Sequence, residues 1–329
     1  MLLQNAGFVL VLRYSRQMQV GKPAHSTYNV AVVVVLQEVF KLVLCQGIIA
    51  VQTLDLREVL QPYKAKTELA KIAIPAACFT LQNNVLYVAL SNLDPLIFQI
   101  TYQIKTMLTA FMSVTMLGRT FSKWQWVSQI LLAIGIVLVQ LADSSGVTKA
   151  NDNRNSVLGL CAVFTAAISS SFASVYFERI LKSGEDVGNK NSLWYKNVQL
   201  CAWTVPMNML LAVLQSTIEK PLTDPLRGFE ASTWAVIVVN GFGGLLVAAV
   251  IKYADNIWKG FATAGAIVLT GILSPMLGLG PPPKVLLLVG GCFVVFALIL
   301  YASKPIPPKT LVYYTHIDRQ ASEGQKLDG

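Results

Sequence analysis

Long apolar runs, separated by short polar connections, make up most of this chain. Charged residues, Pro or Gly bound the runs, and most runs approach the length of about 20 residues that a helix needs to cross a bilayer. The pattern predicts ten transmembrane helices, over residues 1–15, 29–52, 69–91, 95–117, 123–141, 156–181, 192–217, 231–251, 257–279 and 284–303. We therefore expect an all-α integral membrane protein, with one transmembrane domain over residues 1–303 and a polar tail over residues 304–329.

The composition agrees with a membrane location. Hydrophobic residues make up 54% of the chain and charged residues 13%, whereas soluble domains typically contain about 25% charged residues. The 5 cysteines are scattered through apolar runs, and the 2 histidines lie in polar connections. This distribution predicts neither a disulfide framework nor a metal site, and we expect no cofactor.

The distribution of Lys and Arg predicts the orientation of the chain. An even number of spans places both termini on one side, and the loops on that side carry more Lys and Arg than the opposite loops. Because cytosolic loops are enriched in these residues, both termini are expected in the cytosol. The net charge of +9 is then explained by topology and requires no nucleic acid as partner.

Ten spans are compatible with two inverted five-helix halves, over about residues 1–141 and 156–303. Transporters built this way bind their substrate between the halves, near the middle of the membrane. An alignment of residues 92–94 with residues 253–255 places Thr109 on Thr270 and Phe98 on Lys259. Lys105 then lies two helical turns deeper than Lys259, on the equivalent face of the corresponding helix.

Lys105 lies near the middle of the fourth predicted span. A charge at that depth costs about 3 kcal/mol even on the lenient insertion scale, so Lys105 is a functional candidate. Phe98, Tyr102 and Thr109 share its helix face by their spacing, which places a ring, a phenol and a hydroxyl beside the ammonium group. This face is suited to a ligand rather than to lipid.

Other spans also carry polar residues. Glu38 and Lys41 are three residues apart, so they can form an ion pair that fixes packing or that leaves Lys41 facing a cavity. Gln82 and Asn83 belong to a run of amides that can either join helices or bind a ligand. Asn197 and Gln199 are also ligand candidates, whereas residues 194–196 are typical of an interfacial anchor.

Glycines 241, 243 and 244 permit close approach of a backbone or a ligand. Residues 252–256 form a polar break, and Lys259 follows in the first turn of the next helix. Amides at a helix N-terminus together with a lysine can bind an anion, although a lysine that reaches the membrane interface is the alternative. Glu178 and Arg179, at the end of the sixth span, are expected at the interface.

Lysines 105 and 259, with Lys41 as a third, imply an anionic substrate. Aromatic and amide neighbours imply that the anion has a flat or sugar-like body. Lysine ammonium groups bind phosphate and aromatic rings stack on a base, so the combination indicates a nucleotide.

Several stretches of the chain resemble one family closely. They are LQNNVLYVALSNLD (81–94), FQITYQIKTMLTAFMSVTMLGRTFSKWQW (98–126), SSFASVYFERILK (170–182), NVQL (197–200) and GGLLVAAVIKYADNIWKGFATAGAIVL (243–269). The chain resembles the Golgi nucleotide-sugar transporters, in the branch that carries CMP-sialic acid, UDP-galactose and UDP-N-acetylglucosamine. The resemblance covers nearly all ten spans. It implies the drug/metabolite transporter fold and the exchange of a cytosolic nucleotide sugar for a lumenal nucleoside monophosphate.

The resemblance also implies roles for individual residues. Lys105 and Lys259 would bind phosphate, and Asn197 would lie near the sugar. The other expected binding residues line the same cavity or surround the base and ribose: Lys41, Phe79, Gln82, Asn83, Phe98, Tyr102 and Gly244.

Departures from the family pattern bear on the choice of sugar. CMP-sialic acid carriers commonly have tyrosines where this chain has Phe79, Phe98 and Cys201, and serines where it has Trp203 and Ala248. Phe98 and the run GGLLVA resemble the UDP-galactose carriers more, so UDP-galactose is favoured and CMP-sialic acid is the alternative.

Two other classes of function fit the residues poorly. A membrane enzyme acting on sugar nucleotides would need paired carboxylates or a metal site, and the sequence has no D-x-D or H-E-x-x-H motif. A cation or drug exporter normally depends on a membrane carboxylate, and here the only deep one, Glu38, has Lys41 beside it. The remaining class of function is an anion exchanger, which would be surrounded by membrane lipid. The sequence is compatible with a homodimer and does not require one.

Overall fold

The computed structural model describes residues 1–18, 28–55, 57–93, 95–143, 155–182, 193–218, 224–278 and 284–303. Within these ranges all regular structure is helical. The α-helices are α1 (Leu2–Gln17), α2 (Val30–Thr53), α3 (Gln61–Lys64), α4 (Lys66–Asn92), α5 (Pro95–Tyr102), α6 (Ile104–Leu117), α7 (Lys123–Asp143), α8 (Ser156–Lys182), α9 (Leu193–Ile218), α10 (Ala231–Tyr253), α11 (Asn256–Met276) and α12 (Val285–Ala302). The predicted tail, residues 304–329, lies outside the described residues.

Every predicted apolar run contains a helix, and 8 of the helices are long and apolar enough to cross a membrane. These are α2, α4 and α7 to α12. This confirms the all-α membrane architecture. The total of ten spans and the inverted halves stay predictions, because α1 is short and the fourth run forms two shorter helices.

The sequence-based expectation of one continuous helix over residues 95–117 is wrong, because the chain turns at Gln103 between α5 and α6. The Gln103 amide donates to Ile100 at 3.2 Å, and the carbonyl of Gln103 accepts from both the amide and the hydroxyl of Thr106. A side-chain hydroxyl that bonds a nearby carbonyl competes with the regular helical ladder. Lys105 therefore lies in the first turn of α6 rather than in the middle of a long helix.

The predicted polar break between the eighth and ninth spans is a tight helix junction. α10 ends at Tyr253 and α11 begins at Asn256. One carboxylate oxygen of Asp255 accepts from the amides of Ile257 and Trp258, both at 2.8 Å, so Asp255 is the N-cap of α11. A carboxylate in this position satisfies amides that the helix itself leaves without partners.

Helices α7 and α12 pack in backbone contact through two glycines. A Cβ atom added to Gly135 would lie 2.9 Å from the carbonyl oxygen of Gly290, and one added to Gly290 would lie 2.7 Å from the carbonyl oxygen of Gly135. Small residues permit such close approach between membrane helices, where dispersion contacts drive association. The two helices are therefore packed backbone to backbone at this point.

Replacement of Gly290 by Ala should lower the thermal unfolding midpoint in detergent, because the added methyl collides with backbone rather than with a flexible side chain. Overpacking of this kind typically costs about 1–3 kcal/mol. Gly47→Ala in α2 is the matched control, since a Cβ atom there has nothing within 4 Å. Equal effects of the two substitutions would show that the glycine contact does not hold the helices together.

Candidate anion-binding site

A cavity of about 220 Å³ lies between α2, α4, α8, α9, α10 and α11. Its wall combines charged groups, amides, hydroxyls and aromatic rings with aliphatic side chains. Six of the ten sequence-predicted binding residues line it, namely Lys41, Phe79, Asn83, Asn197, Gly244 and Lys259. The structure therefore brings together residues from helices that are distant in sequence.

Glu38 and Lys41 of α2 form an ion pair in the wall of this cavity. The Lys41 ammonium lies 2.7 Å from one carboxylate oxygen of Glu38. The other oxygen accepts a hydrogen bond from the Thr204 hydroxyl at 2.6 Å, and the Cys201 thiol lies 3.9 Å from it. Lys41 thus faces the cavity, and its charge is balanced by a carboxylate that α9 holds in place.

Gly244 gives the Lys41 side chain the space that it occupies. A Cβ atom on Gly244 would lie 2.8 Å from Cδ of Lys41. The glycine run predicted that a backbone or a ligand approaches this helix closely. In the structure, the side chain of Lys41 on α2 makes the close approach to α10.

Lys105 and Lys259 differ from Lys41, because neither forms an ion pair within the described residues. The Lys105 ammonium lies 3.4 Å from the hydroxyl of Tyr102 and 5.2 Å from the centre of its ring. Lys259 lines the cavity, and its helix α11 packs against α6, which carries Lys105, since Ala110 of α6 belongs to the same buried cluster as Ile257 and Phe261 of α11. Among the described residues, the cavity wall thus holds one ammonium group without a salt bridge, Lys259, and the adjacent helix α6 holds a second, Lys105.

Tyr102 lies beside Lys105, and the rings of Phe98 and Tyr102 stack on each other. Their ring centres are 5.6 Å apart and their planes differ by 13°. Both rings pack against a cluster of α4 and α8 that includes Ala89 and Val163. Phe98, Tyr102 and Lys105 do not line the cavity itself, and the packing of α6 against α11 is what connects this group to it.

Gln82 also lies outside the wall of the cavity, on α4. Its carbonyl oxygen is buried and accepts no hydrogen bond from the residues that the structure describes. The adjacent Asn83 lines the cavity, so the two amides of this run face different surroundings. Gln199, another candidate, donates to the carbonyl of Pro62 at 2.9 Å and joins α9 to α3.

Sequence reasoning missed three polar residues of the cavity wall, Thr80, Thr204 and Asn208. Asn208 lies four residues after Thr204, and both share a face of α9 with Asn197. This spacing of polar side chains within an apolar run was a signal that could have identified them.

Two of the residues predicted at the membrane interface are buried by protein contacts. Lys196 pairs with Glu68 at 2.6 Å. Glu178 is completely buried and pairs with both Arg119 and Lys182.

The expected anion site at the backbone amides of α11 is also already occupied. The amide of Asn256 donates to Glu178 at 3.3 Å, and the next two amides donate to Asp255. Any anion bound at this helix must therefore be held by the Lys259 side chain.

Fold and site together define a multi-pass helical membrane protein whose central cavity is suited to an anion. The aliphatic exterior of the helices provides the lipid-facing surface, and the lysines provide positive charge between them.

The chain belongs to the nucleotide-sugar transporter family, whose model matches residues 1–302. It is 35% identical to the UDP-N-acetylglucosamine/UDP-N-acetylgalactosamine transporter nstp-4 of Caenorhabditis elegans, over 93% of this chain and 92% of the relative. It is 36% identical to the UDP-N-acetylglucosamine transporter of Rattus norvegicus, over 93% and 94% of the two chains. It is also 36% identical to the UDP-galactose translocator of Homo sapiens, over 92% of this chain and 75% of the relative.

A solved crystal structure shares the fold. It superposes with a TM-score of 0.63, covers 90% of this chain and 95% of its own, and is 15% identical in sequence. The family confirms the resemblance seen in the sequence. It also confirms that the chain is a transporter rather than an enzyme.

Replacement of Thr204 by Val should lower the stability of the protein, because Glu38 loses a hydrogen bond in a partly buried site. Hydrogen bonds to charged groups typically contribute about 1.5–3 kcal/mol. Thermal unfolding in detergent measures the effect. Thr165→Val is the matched control, since the Thr165 hydroxyl is exposed and bonds only its own helix at Cys161. The same loss in both variants would mean that the bond to Glu38 is not important.

Proposed function

We propose that this protein is an antiporter of the Golgi membrane, which exchanges a cytosolic pyrimidine nucleotide sugar for lumenal UMP or CMP. In this proposal ten helices form two inverted halves, and both termini lie in the cytosol. The observation that carries the proposal is the presence of Lys105 and Lys259, two ammonium groups inside the helix bundle that form no salt bridge with any of the residues that the structure describes.

The two lysines select the charge of the ligand. Burial of a cation without a counter-ion is costly, and an anion that binds between two such cations relieves both the desolvation and the repulsion. The phosphate groups of a nucleotide meet this requirement, since lysine binds phosphate as a point charge. A cationic substrate would add to the repulsion.

The surrounding side chains suit the rest of a nucleotide sugar. Asn83, Asn197 and Asn208 supply amides that can hydrogen-bond a base edge or sugar hydroxyls, and Phe79 supplies an aromatic face. Phe98 and Tyr102 form a second aromatic surface beside Lys105. The site is thus polar at defined points and apolar between them, as small-molecule sites usually are.

The same charges account for obligatory exchange. A nucleotide sugar and a nucleoside monophosphate both carry phosphate, so either neutralises the lysines while the site changes its exposure from one side to the other. The empty carrier would have to make this change with uncompensated charges, which slows it. Exchange then follows from electrostatics and from alternating access around a fixed site.

The residues favour UDP-galactose as the sugar nucleotide. Phe79 and Phe98 stand where the CMP-sialic acid carriers that the chain resembles commonly have tyrosines. Relatives named for UDP-N-acetylglucosamine and for UDP-galactose are similar to this chain to the same degree, which supports a uridine nucleotide as the common part. CMP-sialic acid exchanged for CMP is the alternative within the same site.

Uptake into proteoliposomes tests the proposal. Vesicles containing the purified protein are preloaded with UMP, CMP, GMP or buffer, and uptake of labelled UDP-galactose, UDP-N-acetylglucosamine and CMP-sialic acid is measured. We expect rapid uptake of UDP-galactose into UMP-loaded vesicles and little uptake into empty ones. Equal uptake into empty vesicles would contradict exchange, and a preference for GMP would contradict the pyrimidine assignment. Preference for CMP-sialic acid with CMP would establish the alternative.

Replacement of Lys105 or Lys259 by Gln should weaken binding of UMP by about 10- to 100-fold, the equivalent of one hydrogen bond to a charged group. The measurement is the rise in the unfolding midpoint on titration with UMP. Lys123→Gln is the control, since Lys123 is exposed at the start of α7. Unchanged binding in both site variants would make these lysines structural and remove the basis of the proposal.

A further inference from the structure

Paired charges form a cluster at the end of the bundle where α6, α8 and α10 end and where α7 and α11 begin. Its centre is Glu178, which is 0% exposed. One carboxylate oxygen of Glu178 pairs with Arg119 and with Lys182, the latter at 2.8 Å. The other accepts from the side chain of Asn256 at 2.9 Å and from its backbone amide. A carboxylate oxygen of Asp255 lies 2.9 Å from Arg119. We refer to these five residues as the Arg119 cluster.

The Arg119 cluster joins three parts of the chain that are distant in sequence. Arg119 belongs to the connection between α6 and α7, and Glu178 and Lys182 lie in the last turns of α8. Asp255 and Asn256 form the junction of α10 with α11, and the Lys182 ammonium also donates to the carbonyl of Ala254 at 2.7 Å. The cluster therefore holds the ends of five helices together on this side of the bundle.

The same cluster borders the cavity. Phe177, which immediately precedes Glu178, and Lys259, one turn after Asn256, both line the cavity. The cluster thus lies between the cavity and the end of the bundle that we call the Arg119 end.

Charge pairs are suited to a contact that must break and re-form. When such a contact is closed, each charge has a partner, and when it opens into water, each charge is hydrated instead, so the two states differ little in free energy. Burial by itself lowers the pKa of the Arg119 guanidinium, but the carboxylates of Glu178 and Asp255 outweigh burial and raise it. Arg119 therefore keeps its charge in the closed arrangement.

We propose that the Arg119 cluster is the gate that closes the substrate cavity at the Arg119 end. Separation of Arg119 from Glu178 and Asp255 releases the α6–α7 connection from α8 and α11 and opens the cavity to that side of the membrane. This inference rests on the proposed transport function, because a gate is needed only where the site must open to both sides. The structure described above is then the state closed at this end.

Accessibility of a cysteine in the cavity tests the gate without any measurement of transport. The five native cysteines are replaced by Ser or Ala, and Leu200→Cys in the cavity wall is the reporter. A membrane-impermeant maleimide is applied to proteoliposomes from one side and then from the other. Asp255→Asn is the main variant, because an Asn at the N-cap still caps α11 while the charge that pairs with Arg119 is lost.

We expect Asp255→Asn to raise the rate of labelling from the Arg119 end at least 10-fold, without an increase from the opposite end. Glu178→Gln should act in the same direction, and binding of UMP in detergent shows whether each variant is folded. Glu68→Gln is the matched control, since it removes the ion pair with Lys196 at the same end of the bundle but outside the cluster. Its labelling should stay within twofold of the parent protein.

Two outcomes would overturn the gate. One is unchanged labelling from the Arg119 end in a variant that still binds UMP. The other is an equal rise from both ends, which would indicate general loosening of the fold. Failure of nucleotide exchange in the parent protein, with labelling that changes as expected, would instead contradict the proposed transport function and leave the opening of the cavity established.

Discussion

A positive charge inside a medium of low polarity is costly in free energy, and this cost is the constraint that the lysines inside the helix bundle must meet. Lys41 and Lys196 meet it in the usual way, each through a carboxylate within 2.7 Å. Lys105 and Lys259 form no such pair within the part of the chain that the structure describes, which is why the proposed function assigns them to an anionic ligand.

This division among the lysines gives the helix bundle two kinds of polar structure. One kind consists of paired groups that fix helices to each other, such as the bond from Thr204 to Glu38 and the contact of Gln199 with the connection before α4. The other kind consists of polar groups that can still bind a ligand, such as Lys105, Lys259 and the cavity amides. Different residues of the same helices therefore stabilise the fold and provide the proposed binding groups. Helix α9 contributes residues of both kinds.

Much of this arrangement could be predicted from single features of the sequence. The apolar runs predicted where the helices lie, and the spacing of Glu38 and Lys41 predicted their ion pair. What escaped prediction depends on contacts between distant segments. Glu178 resembles an interfacial residue until Arg119, which is 59 positions away, is placed beside it. The turn at Gln103 contains neither Pro nor Gly, so no residue type marks it in the sequence.

The contact between Gly135 and Gly290 limits how such a carrier can move. These glycines lie on α7 and α12, the last helix of each proposed half, and neither helix lines the cavity. Because their backbones touch, α7 and α12 can move apart only by losing this contact. A change of shape that keeps the contact is confined to the other helices, which include all those that line the cavity.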